Sequence, residues 1–267
     1  MGDLAHQPRK RFGQHFLNCE QTLEAMVDAI APAHNERMIE IGPGPGVLTE
    51  RLIPVVTDFS VIEIDRDLVA HLKKRFADYS ICVHEGDVLS FDFASVLSTK
   101  KPTRIVGNLP YNISTPLLFR LFPWMSAISS CYFLLQKEVV DRLCALPGSK
   151  TYGRLSVMTQ YFCQAESLFD VPPAAFSPPP KVDSSFVCLR SHDTMPAVAR
   201  DFQVFEDVVR HAFCYRRKML KKIFKNTVTE DQWRELSLDS TQRPEQLGVS
   251  SYVALSNLIV TQRDEGV

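Results

Sequence analysis

The sequence has no apolar run approaching the roughly 20 residues of a bilayer-spanning helix. Its first twelve residues, Met-Gly-Asp-Leu-Ala-His-Gln-Pro-Arg-Lys-Arg-Phe, contain no hydrophobic stretch of the kind a secretory leader requires, so a cytoplasmic protein without a membrane partner is expected. The seven cysteines are dispersed with no C-x-x-C pair, which argues against a disulfide framework and against a zinc site. The seven histidines form no H-E-x-x-H cluster, and no metal is expected. There is no excess of either charge: the formal net charge is -1, so any nucleic-acid surface must be a local concentration of Lys and Arg. No internal repeat or low-complexity tract is visible.

What is present is ordinary for a folded protein, 45% hydrophobic and 23% charged over 267 residues. That length suits one large α/β domain and a smaller companion. Strand patterns at 37–41, 59–64, 80–84, 103–107 and 131–136 alternate with helical patterns at 47–53, 66–77 and 137–146. A helical pattern at 21–30 precedes the first of them, and Asp65 is placed as the N-cap of the segment 66–77. This alternation predicts a parallel sheet with crossover helices. A further helix is expected to run to about Cys163, and strands at 167–171 and 182–190 flank a proline-rich stretch. Beyond Ser191 the patterns are helical, at 202–213, 216–225, 230–236 and 251–260. The expected organisation is a Rossmann-like α/β domain over 1–191 and an all-helical domain over 200–267.

In an open parallel sheet, ligands bind beyond the carboxyl ends of the strands. Gly42-Pro43-Gly44-Pro45-Gly46 stands at one such end, where Gly42, Gly44 and Gly46 permit close backbone approach. Glu63 ends the next strand and can accept hydrogen bonds from ribose hydroxyls. Asp87 follows the third and can accept from an adenine amine. The Gly-x-Gly-x-Gly spacing differs from the Gly-x-Gly-x-x-Gly of dinucleotide enzymes. Glu40, just before the loop, suits a cation better than a pyrophosphate. S-adenosylmethionine carries a sulfonium and an ammonium but no phosphate, and it fits this set. A ligand-free strand-to-helix turn is the structural alternative.

Val106-Gly107-Asn108-Leu109-Pro110-Tyr111 places an amide, a proline and an aromatic ring at the end of the fourth strand. Proline pushes Leu109 towards an extended conformation, which lets nearby carbonyls face a pocket. If the Asn108 side-chain oxygen and the Leu109 carbonyl accept from an exocyclic adenine amine, the nitrogen is drawn towards tetrahedral geometry. Its lone pair is then free to attack a methyl donor, so positioning and electrostatics suffice. Tyr111 and a second aromatic, Phe176 at the start of the Phe176-Ser177-Pro178-Pro179-Pro180-Lys181-Val182-Asp183-Ser184 segment, would hold the extruded base. An Asn/Pro turn and a core phenylalanine are the respective alternatives.

The local basic concentration lies between Arg210 and Lys225, which contains Arg216, Arg217, Lys218, Lys221 and Lys222 and no acid. On a helix, Arg217 with Lys221 and Lys218 with Lys222 would share faces. Like charges so placed cost helix stability, which a phosphate partner would offset. These five are the candidate RNA contacts; Arg9-Lys10-Arg11 is a second basic patch.

The ordered motifs resemble those of the KsgA-type small-subunit ribosomal RNA adenine N6,N6-dimethyltransferases. They comprise Arg11-Phe12-Gly13-Gln14-His15-Phe16-Leu17, Glu40-Ile41-Gly42-Pro43-Gly44, Val61-Ile62-Glu63-Ile64-Asp65, Gly107 to Pro116, Leu135-Gln136-Lys137-Glu138-Val139 and the 176–184 segment. The run 243–247 and Leu255-Ser256-Asn257 extend the likeness into the helical tail. The resemblance implies a Rossmann-like methyltransferase domain using S-adenosylmethionine and acting on two adjacent adenines near the 3′ end of 16S rRNA in the immature small subunit. It also implies that His15 and Leu17 close over the cofactor, that Gly42, Glu63, Asp87 with its neighbour Val88, and Asn108 contact it, and that Asn108, Tyr111 and Phe176 hold the adenine. A monomer is expected. His15 stands where Asn is also common in that family. Three alternatives stay open at this level: a resistance-type methylase of 23S rRNA, a non-catalytic ribosome-assembly factor and a nicotinamide-dependent oxidoreductase. The last gives no role to Asn108 through Tyr111.

Overall fold

The computed structural model describes residues 13–97 and 103–265. The basic run Arg9-Lys10-Arg11 and the start of the first motif, Arg11-Phe12, lie outside the described residues. The chain divides into two compact units, one of residues 1–140 with 165–191 and the other of residues 141–164 with 192–267.

The first unit is organised by a seven-stranded sheet. Its strands are β2 (Arg37–Ile41), β3 (Asp58–Glu63), β4 (Ile81–Glu85), β5 (Thr103–Asn108), β6 (Ile128–Gln136), β7 (Cys163–Val171) and β9 (Ser184–Ser191), in the spatial order β4-β3-β2-β5-β6-β9-β7. Two short strands, β1 (Phe16–Leu17) and β8 (Phe176–Ser177), form a separate antiparallel ladder. The pairs β2–β3, β3–β4, β2–β5 and β5–β6 are parallel. The chain moves outward from β2 to β4 and then returns to lay β5 on the other side of β2, and that reversal makes the crevice where ligands bind in such sheets. One departure from the parallel expectation is β9, which runs antiparallel to β6 with Val187 opposite Phe133.

Central parallel strands are covered on both faces, so they read as continuous apolar runs rather than alternating ones. Accordingly Ile39, Val61, Ile105 and Phe133 have no exposed surface. Helix α1 (Glu20–Ile30) buries Leu23, Met26 and Ile30, spaced along one face. Helices α2 (Val47–Leu52) and α3 (Arg66–Arg75) follow β2 and β3. In α3 the Asp65 side chain caps the Asp67 N–H, Leu68, Val69 and Leu72 are buried, and Lys73, Lys74 and Arg75 stand at the negative end of the helix dipole. Helices α4 (Ser114–Leu121) and α5 (Lys137–Leu143) follow β5 and β6.

The second unit is helical: α6 (Arg154–Phe162), α7 (Phe202–Cys214), α8 (Leu220–Ile223), α9 (Glu230–Glu235) and α10 (Val249–Asp264). Asp201 caps α7 by accepting from the N–H groups of Gln203 and Val204, and the helix buries Val204, Phe205, Val208, Val209 and Ala212. Tyr161 of α6 packs against Phe205 of α7 with ring centroids 4.5 Å apart, and Arg154 pairs with Glu206 at 2.8 Å. Segment 141–164 therefore groups with 192–267, although it precedes the Ser191 break in the chain.

The expected helix over 216–225 is corrected to the four residues of α8. Met219 is extended (φ -68°, ψ 148°), and the N–H groups of Leu220 and Lys221 bond to the carbonyls of Gln242 and Ser240, each at 2.9 Å. A long helix would have pointed those donors at residues 216 and 217, and tertiary partners take them instead. Arg217 and Lys221 are consequently not on one helix face, nor are Lys218 and Lys222. Among the described residues no helix is long and apolar enough to cross a membrane.

Candidate active site

A cavity of about 330 Å³ opens at the carboxyl ends of β2, β3 and β5, within the first unit. It falls in the about 300–1,000 Å³ range of small-molecule sites. Its walls come from the segment 13–17, the glycine loop after β2, Glu63 and Ile64, the 86–89 turn and the 108–113 segment. His15, Leu17, Gly42, Gly44, Glu63, Asp87, Val88, Asn108, Leu109, Pro110 and Tyr111 are thus brought together.

Close backbone approach explains two of the glycines. Gly44 has φ +58°, and a Cβ there would stand 3.0 Å from the Phe16 ring. At Gly107 a Cβ would fall 2.5 Å from the Ile41 carbonyl oxygen, so β5 can lie against the end of β2 only without a side chain.

Three carboxylates face this space. Glu63 is buried and accepts from the Asp65 N–H at 2.9 Å and the Gly44 N–H at 3.2 Å. Burial raises its pKa, and those backbone donors oppose the rise. Glu40 is also buried and accepts from the Thr49 hydroxyl at 2.5 Å. Burial pushes its carboxyl up to about 8, against the Thr49 hydrogen bond and with some help from the Glu63 charge. Asp87 is exposed and accepts from the Leu89 N–H at 2.9 Å, which bends the chain back beside the cavity; Val88 is buried beneath it. Among the described lining residues there is no Lys or Arg. Among these described residues a pyrophosphate would find no cationic partner, whereas a ligand carrying ammonium and sulfonium charges would relieve the buried acids. No group of three His, Cys, Asp or Glu able to hold a metal occurs among the described residues.

The polar groups at the end of β5 are held from several sides. The Asn108 amide nitrogen donates to the His15 carbonyl at 2.9 Å. The His15 ring nitrogen Nδ1 lies 2.7 Å from the Pro178 carbonyl, so it carries the proton. The His15 and Tyr111 rings are near parallel and offset, with centroids 5.8 Å apart. The Tyr111 hydroxyl is 2.6 Å from the Ser184 hydroxyl. The Pro110 carbonyl is engaged by the Ile113 N–H and the Ser114 hydroxyl, each at 3.1 Å.

Phe176 is not on the cavity wall. Its ring is buried in the core cluster, and its backbone pairs with Leu17 across the β1–β8 ladder. Its ladder partner Leu17 belongs to the same cluster and does line the cavity. Sequence reasoning did not foresee the Glu40–Thr49 hydrogen bond or the Tyr111–Ser184 one. Neither pair has a diagnostic spacing, although Ser184 ends a motif already singled out.

The five candidate RNA contacts lie in the second unit. Arg217, Lys218 and Lys222 are exposed. Lys218 lies over the Tyr215 ring, 4.9 Å from its centroid. Lys221 is half-buried. Arg216 is half-buried and internally engaged, donating to the Lys150 carbonyl at 2.7 Å and lying 3.6 Å from the Glu245 carboxylate.

This chain is similar to proteins of one kind along nearly all its length. A family model described as ribosomal RNA adenine dimethylase matches residues 5–260. The ribosomal RNA small subunit methyltransferase A of Chromohalobacter salexigens is 49% identical over 258 residues, covering 95% of this chain and 92% of that protein. The protein of the same name from Shewanella oneidensis is 44% identical over 257 residues, covering 96% of each. Among solved structures, a dimethyladenosine transferase from Plasmodium falciparum superposes with a TM-score of 0.77 at 25% identity, over 95% of this chain and 99% of that one. The 23S rRNA methyltransferase ErmE superposes with a TM-score of 0.72 at 21% identity, over 92% and 99%, a likeness of fold alone. The cavity, with no Lys or Arg among its described lining residues, and the Asn-Leu-Pro-Tyr turn at its rim accord with that company, and the chain belongs to the ribosomal RNA adenine dimethylase family.

Proposed function

We propose that this enzyme dimethylates N6 of two adjacent adenines in the 3′-terminal hairpin of 16S rRNA, on the immature small subunit, with S-adenosylmethionine as donor. The observation that carries this reading is the Asn108 amide. Its nitrogen is spent on the His15 carbonyl, which leaves the side-chain oxygen as an acceptor at the cavity rim.

The donor, when bound, supplies a methyl group on a positively charged sulfur. The acids fit such a ligand: Glu63 is placed for ribose hydroxyls, Asp87 with Val88 for the adenine end and Glu40 for positive charge, while Gly42 and Gly44 allow close backbone approach. His15 and Leu17, on the segment ahead of α1, cover it from the other side. For the target base, the Asn108 oxygen and the Leu109 carbonyl are the acceptors of its amine protons, since the Pro110 carbonyl is already engaged. Accepting both N–H groups draws N6 out of conjugation, so its lone pair could form the new N–C bond as the bond from that methyl to the donor sulfur breaks and its electron pair stays on sulfur. The proton that N6 then sheds would pass along one of those hydrogen bonds to solvent, since neither amide oxygen is basic enough to keep it. Tyr111 supplies an aromatic wall for a base out of its stack. Arg217, Lys218 and Lys222, with Lys221 and Arg216 beside them, make the phosphate contacts.

The test is methyl transfer from labelled donor to small subunits lacking the modification, mapped by RNA mass spectrometry, for wild type and Asn108→Ala. Two dimethylated adjacent adenines, lost in the variant, support the proposal. Transfer to 23S rRNA instead would move the substrate to the large subunit, and no transfer to any RNA would leave a binding factor.

A further inference from the structure

Tyr111 and His15 both reach the same stretch of chain behind the site. The Pro178 carbonyl accepts from the His15 ring at 2.7 Å, and the Ser184 hydroxyl meets the Tyr111 hydroxyl at 2.6 Å. Phe176, at the start of this stretch, is buried in the core cluster. The 176–184 segment therefore forms a clamp on two rings that other parts of the chain supply.

Ser184 is suited to hold a ring in place. It is fully buried at the first position of β9, opposite Gln136 of β6. The preceding residue is pinned by the Lys137 N–H, which donates to the Asp183 carbonyl at 3.0 Å. Strand β6 is in turn paired with β5, with Leu134 beside Asn108. Both ends of the Tyr111–Ser184 hydrogen bond thus rest on one rigid sheet. The neighbouring Ser185 shows what a purely structural serine does here: its hydroxyl bonds to the Phe169 carbonyl at 3.2 Å and the Ser167 hydroxyl at 3.0 Å. Ser184 instead directs its hydroxyl to the half-buried aromatic residue at the rim.

We propose that Ser184 is a positioning residue for RNA adenine methylation, fixing the Tyr111 ring as the wall against which the target base is held. This rests on the reading that Tyr111 holds the adenine. A tyrosine free to rotate about its side-chain torsions would spend part of its time out of that pose, and binding would then have to order it. The hydroxyl pair removes that cost before the RNA arrives.

The experiment compares Ser184→Ala, Ser184→Thr, Tyr111→Phe and the Ser184→Ala/Tyr111→Phe double variant on unmodified small subunits, with donor binding and thermal melting measured on each. Ser184→Ala is expected to lower kcat/KM for the subunit about 3- to 10-fold with donor affinity unchanged, the worth of one hydrogen bond. Ser184→Thr should restore most of that loss, and the double variant should lose no more than the larger single loss. Wild-type kinetics in Ser184→Ala, or losses that simply add in the double variant, would overturn the proposal. Tyr111→Ala separates the two levels: if it too methylates normally, the base-holding reading fails, and if it is impaired while Ser184→Ala is not, only the role of Ser184 falls.

Discussion

The Asn108 side-chain nitrogen donates to the His15 backbone carbonyl at 2.9 Å, joining the carboxyl end of β5 to a segment that precedes it by 93 positions. An amide has two nearly interchangeable ends, and this hydrogen bond decides which one faces the cavity. Asn108→Asp removes the donor and sets a carboxylate against that carbonyl. Methyl transfer at saturating donor is expected to fall by about 10²-fold, the scale of losing one oriented polar group at a reacting centre, with a smaller change in donor affinity. Single-turnover methylation alongside calorimetric donor titration measures both.

Glu40 sets a pH dependence whose sign follows from its environment. Its carboxyl is held up to about 8 by burial, from an ordinary value of 4.5. Between those two values the unfolded chain has released the proton and the folded protein keeps it, so the stability of the ligand-free protein falls as pH rises through this window. Glu40→Gln retains an acceptor for Thr49 but has no proton to lose. The variant is expected to melt about 2 °C or more above wild type at pH 8 and to approach it at pH 5. Its affinity for a cationic donor should drop, because the compensating charge is gone. Melting curves at several pH values, with and without donor, check both statements.

Phe176 and Tyr111 separate packing from chemistry. Removing the buried Phe176 ring should cost about 3–5 kcal/mol of stability, the usual penalty for emptying an aromatic site in a core. Tyr111→Ala, at a half-buried rim position, should cost less, about 1–3 kcal/mol for the buried Ser184 hydroxyl it leaves unpaired, and depress RNA methylation even in the folded fraction. Equilibrium denaturation and methylation of the folded fraction distinguish the two effects.

The basic surface of the second unit is expected to act through salt-dependent affinity. Replacing Arg217, Lys218 and Lys222 by Ala should weaken RNA binding and reduce the slope of log affinity against log salt by about 0.7–0.9 for each phosphate no longer neutralised. Arg216→Ala should differ, lowering the melting temperature as well, because that side chain bonds the Lys150 carbonyl and pairs with Glu245. Filter binding across a salt series and thermal melting test the distinction.

Much of this was legible in the linear chain. Strands β2 and β3 are short, mostly apolar segments built around Met38-Ile39 and Val61-Ile62, with Glu40 and Glu63 at or near their carboxyl ends, and they lack the alternation of a strand with one wet face. Asp65 before a helical pattern is a cap by its chemistry alone. The glycine loop and the Asn-Leu-Pro-Tyr run announced their positions because backbone constraint is written in residue type. The helix expected over 216–225 was not borne out, since Leu220 and Lys221 have hydrogen-bond acceptors far along the chain at Gln242 and Ser240.

The sequence by itself determined which residues could line a site: local backbone preference and apolar periodicity act over a few residues and are encoded there. Tertiary structure alone decided which of them meet. It packed Phe176 into the core cluster and set Ser184 against Tyr111, spent the Asn108 nitrogen on His15 and buried Glu40 beside Thr49. The contacts of Asn108 with His15 and of Tyr111 with Ser184 join segments remote in sequence, and the state of Glu40 follows from the loss of water around its carboxyl. Desolvation and hydrogen-bond partnership are properties of the assembled fold, so no local pattern can carry them.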